Sequence, residues 1–209
     1  MSSSLWTTIK RFDRTQLAPA MALRNALGVA LPLASAVWAY DLAAKSGAAG
    51  PAVMAGCRGL DVLLGASGGQ ITRALPAALT VAAHTYTITA LSRHEVDGAS
   101  RQLPAATLGL TGAVAAAAGM PRRSATSRGR SRVGELLAGC YAVQYGLAQA
   151  RAVLDPGAAR VRTAVATGIT GLPTLQGALV ARTGNVTGAL IVAAAAPLGG
   201  RLARKVSPT

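Results

Sequence analysis

Long stretches without a single Asp, Glu, Lys or Arg dominate this chain. They run over residues 25–40, 74–91, 103–121, 136–150, 163–181 and 183–200. A seventh apolar stretch, 48–66, is interrupted by Arg58 and Asp61. A helix rises about 1.5 Å per residue, so roughly 20 apolar residues cross the hydrocarbon core of a bilayer. Most of the runs approach that length, and charged or polar residues bracket them. Composition argues the same way. Hydrophobic residues make up 51% of the 209 and charged residues 13%, whereas soluble domains carry about 25% charge. A water-soluble fold this poor in charge could not cover its surface. The apolar residues are mostly Ala, Leu, Val and Gly, the mixture that lets helices approach closely in lipid. The pattern predicts an all-α, polytopic transmembrane helix bundle of about seven spans, multi-pass in the cell membrane with the lipid bilayer as its surroundings. Prolines at 32, 51, 76, 104, 173 and 197 fall in or at the ends of the runs, which membrane helices tolerate when neighbours satisfy the freed carbonyls.

The formal charge of +14 raises nucleic acid as an alternative partner. It is excluded by placement. The Lys and Arg residues lie between apolar runs rather than along one face, and only 3% of residues are aromatic, too few for a base-stacking surface. Basic loops beside lipid headgroups account for the charge. Lys10, Arg11 and Arg14 precede an apolar segment as in a signal peptide. Asp13 interrupts them, however, and no small-residue cleavage site closes the run, so a retained first span is expected. Residues 121–132, rich in Arg and Ser, read as a solvated loop.

Few residues are equipped for chemistry. Cys57 and Cys140 both lie in apolar runs and read as small buried hydrophobes. Together with His84 and His94 they give no zinc spacing. His84, mid-run among Thr80, Thr85, Thr87 and Thr89, reads as a hydrogen-bonded packing histidine. Arg58 and Asp61, three apart, share a helix face and serve either as a structural ion pair or as the lining of a polar pocket. Lys45 follows Tyr40 and Asp41 at the end of the first run. It is either a snorkelling interfacial lysine or a phosphate contact. Glu95 and Asp97, with Arg93 and Arg101 nearby, form either an ordinary polar turn or a site holding Mg²⁺ against a diphosphate, because Mg²⁺ commonly takes one or two carboxylates plus substrate phosphates.

Several of these segments together resemble a known family. They are Trp38-Ala39-Tyr40-Asp41-Leu42-Ala43-Ala44-Lys45, Gly50-Pro51-Ala52-Val53-Met54-Ala55, Arg58-Gly59-Leu60-Asp61-Val62-Leu63-Leu64-Gly65, Ala82-Ala83-His84-Thr85-Tyr86, Leu91-Ser92-Arg93-His94-Glu95-Val96-Asp97-Gly98 and the closing Arg201-Leu202-Ala203-Arg204-Lys205. They look like the UbiA superfamily of intramembrane prenyltransferases, over residues 34–209. The resemblance implies a helical bundle that transfers an isoprenoid from a prenyl diphosphate to a lipophilic acceptor, a transfer of an alkyl group other than methyl. By the same resemblance Glu95 and Asp97 would hold Mg²⁺, Lys45, Arg58 and Arg93 would contact diphosphate, and Asp61 would orient Arg58.

The chain also departs from that family. Members carry an early acidic motif of the Asn-Asp-x-x-Asp kind, and upstream of Trp38 the only acidic residue is Asp13. Residues 1–33 form a basic segment and the first half of a span that are foreign to the family, and 11–33 resemble the opening of fusaric-acid-resistance-type transporters. Two readings follow: a truncated, impaired prenyltransferase homologue, or a non-catalytic membrane remnant or transporter-like subunit.

Overall fold

A computed structural model describes residues 21–38, 40–44, 47–120 and 128–206. Among them there are seven helices and no strand. They are α1 (Met21–Leu42), α2 (Gly50–Gly65), α3 (Ile71–Ser92), α4 (Gln102–Gly119), α5 (Arg128–Leu154), α6 (Ala158–Ala181) and α7 (Val186–Val206). A π-helical turn over Tyr40–Ala44 closes α1. The expected all-α architecture is thus present. Three of the helices, α1, α3 and α6, are long and apolar enough to cross a membrane, and α7 contributes a shorter apolar stretch, Val186–Gly199. The helices continue through Pro76, Pro173 and Pro197, and Pro51 sits in the first turn of α2, where its missing N–H costs nothing.

The chain divides inside α3 into two compact units, Met1–Leu79 and Thr80–Thr209. In the first, α2 buries its small residues Gly50, Pro51, Ala55, Cys57 and Gly59, and the Asn25 amide donates to the Ser67 carbonyl at 3.5 Å.

The second unit holds the extended core. Short links at 155–157 and 182–185 turn α5 into α6 and α6 into α7, and links that short place consecutive helices side by side and antiparallel. One core cluster gathers Val114, Ala118, Ala138, Tyr141, Tyr145, Leu175 and Ala178. A second gathers Leu91, Ala148, Ala152, Val161, Ala164 and Val165. Small residues set the spacing. A Cβ on Gly177 of α6 would come within 2.8 Å of the Ala189 carbonyl oxygen and 2.9 Å of Ala193 Cβ on α7, so these two backbones meet as closely as glycine permits. At the far end of α4, Arg182 donates to the Ala117 carbonyl at 2.7 Å, satisfying one of the orphan acceptors of a helix C-terminus.

Two expectations need correction. The loop expected over 121–132 ends sooner, because α5 already begins at Arg128. Arginine is a good helix former, and the apolar run behind it supplies the packed nucleus from which the helix propagates outward. Cys57 is buried as expected, but Cys140 is exposed: one residue before the buried Tyr141, it is turned about 100° around α5 from that side chain. It shares an open, mostly apolar groove of about 610 Å³ with Leu136, Gly139 and Val143.

Candidate functional site

The chemistry expected of Arg93, Glu95 and Asp97 depends on how the link between α3 and α4 is held. The chain leaves α3 through turn bonds from His94 N–H to the Leu91 carbonyl (2.9 Å) and from Gly98 N–H to the His94 carbonyl (3.0 Å). Gly98 has φ +80°, a left-handed conformation that favours glycine. A Cβ there would also strike the Pro156 carbonyl oxygen at 2.8 Å. The next residue, Ala99, donates its N–H to that same Pro156 carbonyl at 2.9 Å. The 93–101 link is thereby locked to the 155–157 link.

The lock positions the side chains. Arg93 and Asp97 are exposed and Glu95 is half-buried. A residue not expected from the sequence joins them: Arg162, in the first turns of α6, donates to the Glu95 carbonyl at 2.9 Å. No sequence signal marks it, since its acceptor is a backbone oxygen 67 residues away. Next to it, Arg160 pairs with Asp155 at 3.4 Å. Among the described residues no three of His, Cys, Asp and Glu stand together where they could hold a metal ion.

Lys45 falls outside the described residues. Arg58 and Asp61 belong to the first unit, where they pair on α2 at 3.1 Å with side chains 52% and 44% exposed. A pair that open contributes little to stability, typically about 0–1 kcal/mol.

A different polar group occupies the centre of the second unit. His84 of α3 is fully buried, and its Nδ1 meets the Tyr141 hydroxyl at 2.8 Å. The ring packs edge-to-face on Tyr141 and Tyr145, centroids 5.3 and 5.5 Å apart. One turn along α3, the Thr87 hydroxyl contacts the Tyr145 hydroxyl at 3.0 Å and donates to the His84 carbonyl at 2.7 Å. The expectation that His84 packs through a hydrogen bond agrees with this arrangement. Its partners Tyr141 and Tyr145 were not singled out in the sequence, although their i, i+4 spacing marks one face of a helix.

Comparison with protein-family models, with curated proteins and with solved structures finds no match to this chain.

Proposed function

We propose that this chain is a multi-pass cell-membrane protein related to the UbiA prenyltransferases, with about seven spans, and that it binds a prenyl diphosphate and transfers its isoprenoid to a lipophilic acceptor at an impaired rate. One observation supports the reading: Arg93, Glu95 and Asp97 share a single turn, which Gly98 and Pro156 lock in place and Arg162 braces. In the reaction the bond between the prenyl carbon and the diphosphate oxygen breaks, with its electron pair leaving on diphosphate. The acceptor bonds to that carbon and releases a proton to solvent. Arg93 offers positive charge to the leaving diphosphate, Arg162 braces the turn through the Glu95 carbonyl, and Glu95 and Asp97 are the residues that would hold Mg²⁺. When bound, Mg²⁺ supplies neutralisation of the diphosphate charge.

A second reading, a non-catalytic membrane subunit, is favoured by the filled centre of the second unit, where Tyr141 and Tyr145 are fully buried against His84. Equilibrium binding separates the two. Purified protein in detergent is expected to bind a labelled prenyl diphosphate weakly and only with Mg²⁺ present, and Glu95→Ala combined with Asp97→Ala is expected to abolish that binding. Binding that ignores both Mg²⁺ and the double substitution would reject the assigned site, and absence of binding in the unaltered protein would leave the subunit reading standing.

The multi-pass claim has its own test. With α4 crossing between them, position 100 and position 132 are expected on opposite faces of the membrane. Single-cysteine variants Ser100→Cys and Arg132→Cys, made after replacing Cys57 and Cys140, are expected to react with a membrane-impermeant thiol reagent from opposite sides. Labelling of both from one side would defeat that topology.

A further inference from the structure

One face of α5 is open. The helix packs on α4 and α6 and turns Ala138, Tyr141 and Tyr145 into the core, while Leu136, Gly139, Cys140, Val143 and Gln144 line the groove of about 610 Å³. These positions recur at three- and four-residue steps, which places them along one helix face. All five are exposed, and a Cβ on Gly139 would meet nothing within 4 Å. Arg132 and Glu135, both exposed, line the same groove at one end.

The polar residues decide what covers this face. Lipid tails would cover Leu136 and Val143 as well as a protein would, since hydrocarbon is as apolar as leucine. Gln144 differs. It lies near the middle of the uncharged run 136–150, and its amide carries two donor hydrogens and an acceptor oxygen. Acyl chains satisfy none of them. A facing helix with an amide at the same depth satisfies both kinds, and a second α5 has one, because its own Gln144 stands at that height. The charges select the same occupant. Copies inserted in one orientation pair about a two-fold axis along the membrane normal, which sets α5 parallel to its copy and matches the surface to itself. Arg132 then meets the partner's Glu135 one turn away, and the pair forms twice. Small residues complete the fit. Gly139 and Cys140 carry little bulk at the centre of the face, and the four-residue rows Leu136–Cys140–Gln144 and Glu135–Gly139–Val143 favour a close right-handed crossing of about −40°.

We propose that the chain forms a parallel homodimer in the membrane through this face of α5, with Gly139 and Cys140 at the crossing, Gln144 bonded to the partner's Gln144, and Arg132 paired with the partner's Glu135. This interface rests on the multi-pass reading, in which α5 crosses the bilayer, and uses none of the diphosphate residues.

Cys140 serves as the probe. The full chain carrying Cys57→Ala is oxidised with copper phenanthroline in native membranes. A disulfide needs Cα atoms roughly 4.4–6.8 Å apart, which a crossing at Cys140 provides, so the chain is expected to double in mass on non-reducing gels. Ile191→Cys on α7, in a chain lacking both native cysteines, controls for chance collision, because Ile191 is 68% exposed but lies off the groove. It is expected to stay at monomer mass. Gly139→Leu is expected to lower the Cys140 cross-link roughly tenfold or more, since helices crossing this closely leave no room for a long side chain where alanine would still fit. Its unfolding transition is expected to stay cooperative, because the space beside Gly139 is open within one chain. Gln144→Leu is expected to lower the cross-link several-fold. Cys140 at monomer mass, equal cross-linking of Ile191→Cys, or a cross-link undiminished by Gly139→Leu would each overturn the dimer. A membrane-impermeant maleimide applied to opened vesicles tells that failure from failure of the multi-pass reading. Cys140 that neither reacts nor cross-links leaves α5 in lipid and refutes the dimer alone. Cys140 that reacts places α5 in water and refutes the multi-pass reading together with the interface.

Discussion

Gly168→Val is expected to abolish the folded second unit. Gly168 of α6 lies beneath the His84–Tyr141–Tyr145 group, and even the first carbon of a side chain has nowhere to go. A Cβ there would stand 2.8 Å from Ile88 Cγ1 and 2.9 and 3.0 Å from the Tyr145 ring. Tyr145 cannot yield. It is fully buried, its hydroxyl is held by Thr87, and its ring packs on that of His84. Moving the ring breaks the Thr87 contact and leaves further buried polar atoms unpaired, each at about 1–3 kcal/mol. Overpacking by one methyl alone costs about 1–3 kcal/mol, and valine adds two more carbons. The total approaches the ~5–15 kcal/mol that typically holds a domain together. Gly168→Ala is expected to lower stability by about 1–3 kcal/mol and Gly168→Val to leave no cooperative unfolding transition. Gly139→Ala is the control. It too lies within a helix, but a Cβ there meets nothing within 4 Å, so alanine is expected to be neutral or to stabilise by roughly 0.5–1 kcal/mol through helix propensity. Thermal unfolding in detergent, followed by circular dichroism, distinguishes these outcomes. If Gly168→Val melts like Gly139→Ala, the packing described around Tyr145 is wrong.

The contrast between those two glycines shows what could be read before the structure was known. Apolar runs located the helices well: 74–91 became Ile71–Ser92, and 163–181 became Ala158–Ala181. The cue works because lack of charge over that length admits few other folds. It fails where charge and helix coexist. Arg128, Arg130 and Arg132 belong to α5, since charge marks where lipid ends and not where a helix ends. The burial of His84 was legible from its apolar, threonine-rich run, but its partner was not, because Tyr141 lies 57 residues away and nothing within α3 encodes that meeting. Gly168 and Gly139 look alike in sequence. They differ only in what the neighbouring helices bring against them, and that is settled by tertiary packing. Arg162 was equally hidden, since a backbone carbonyl such as that of Glu95 has no side-chain identity to pattern. The Glu95–Asp97 pair was visible because two carboxylates in so basic a chain are conspicuous, and the structure adds the locked turn that carries them.

Prenyl transfer by the unaltered protein is expected to be slow, and the double substitution Glu95→Ala, Asp97→Ala is expected to remove what remains. A diphosphate leaves only as fast as its developing charge is stabilised, and removing one preorganised stabilising group commonly costs ~10²–10³ in rate. The proposed relation to the UbiA prenyltransferases implies two acidic motifs, whereas here Glu95 and Asp97 form one acidic pair and no Asn-Asp-x-x-Asp motif stands before Trp38. Losing a whole motif should cost at least as much as losing one group, so the unaltered chain starts at least ~10² below a complete transferase. Neutralising its surviving pair should lower the rate by a similar factor again, to the uncatalysed background. Arg162→Ala separates positioning from charge. It removes the bond to the Glu95 carbonyl while both carboxylates stay, so it is expected to raise the Mg²⁺ concentration needed for half-maximal rate more than it lowers the rate at saturating Mg²⁺. The assay is purified protein with labelled prenyl diphosphates against a panel of aromatic and lipid acceptors, with Mg²⁺ titrated for each variant. Brisk transfer that survives the double substitution would show that the site lies elsewhere in the chain. Brisk transfer lost on substitution would show that one acidic pair suffices, and that the turn between α3 and α4 does the work two motifs share in the resembled family.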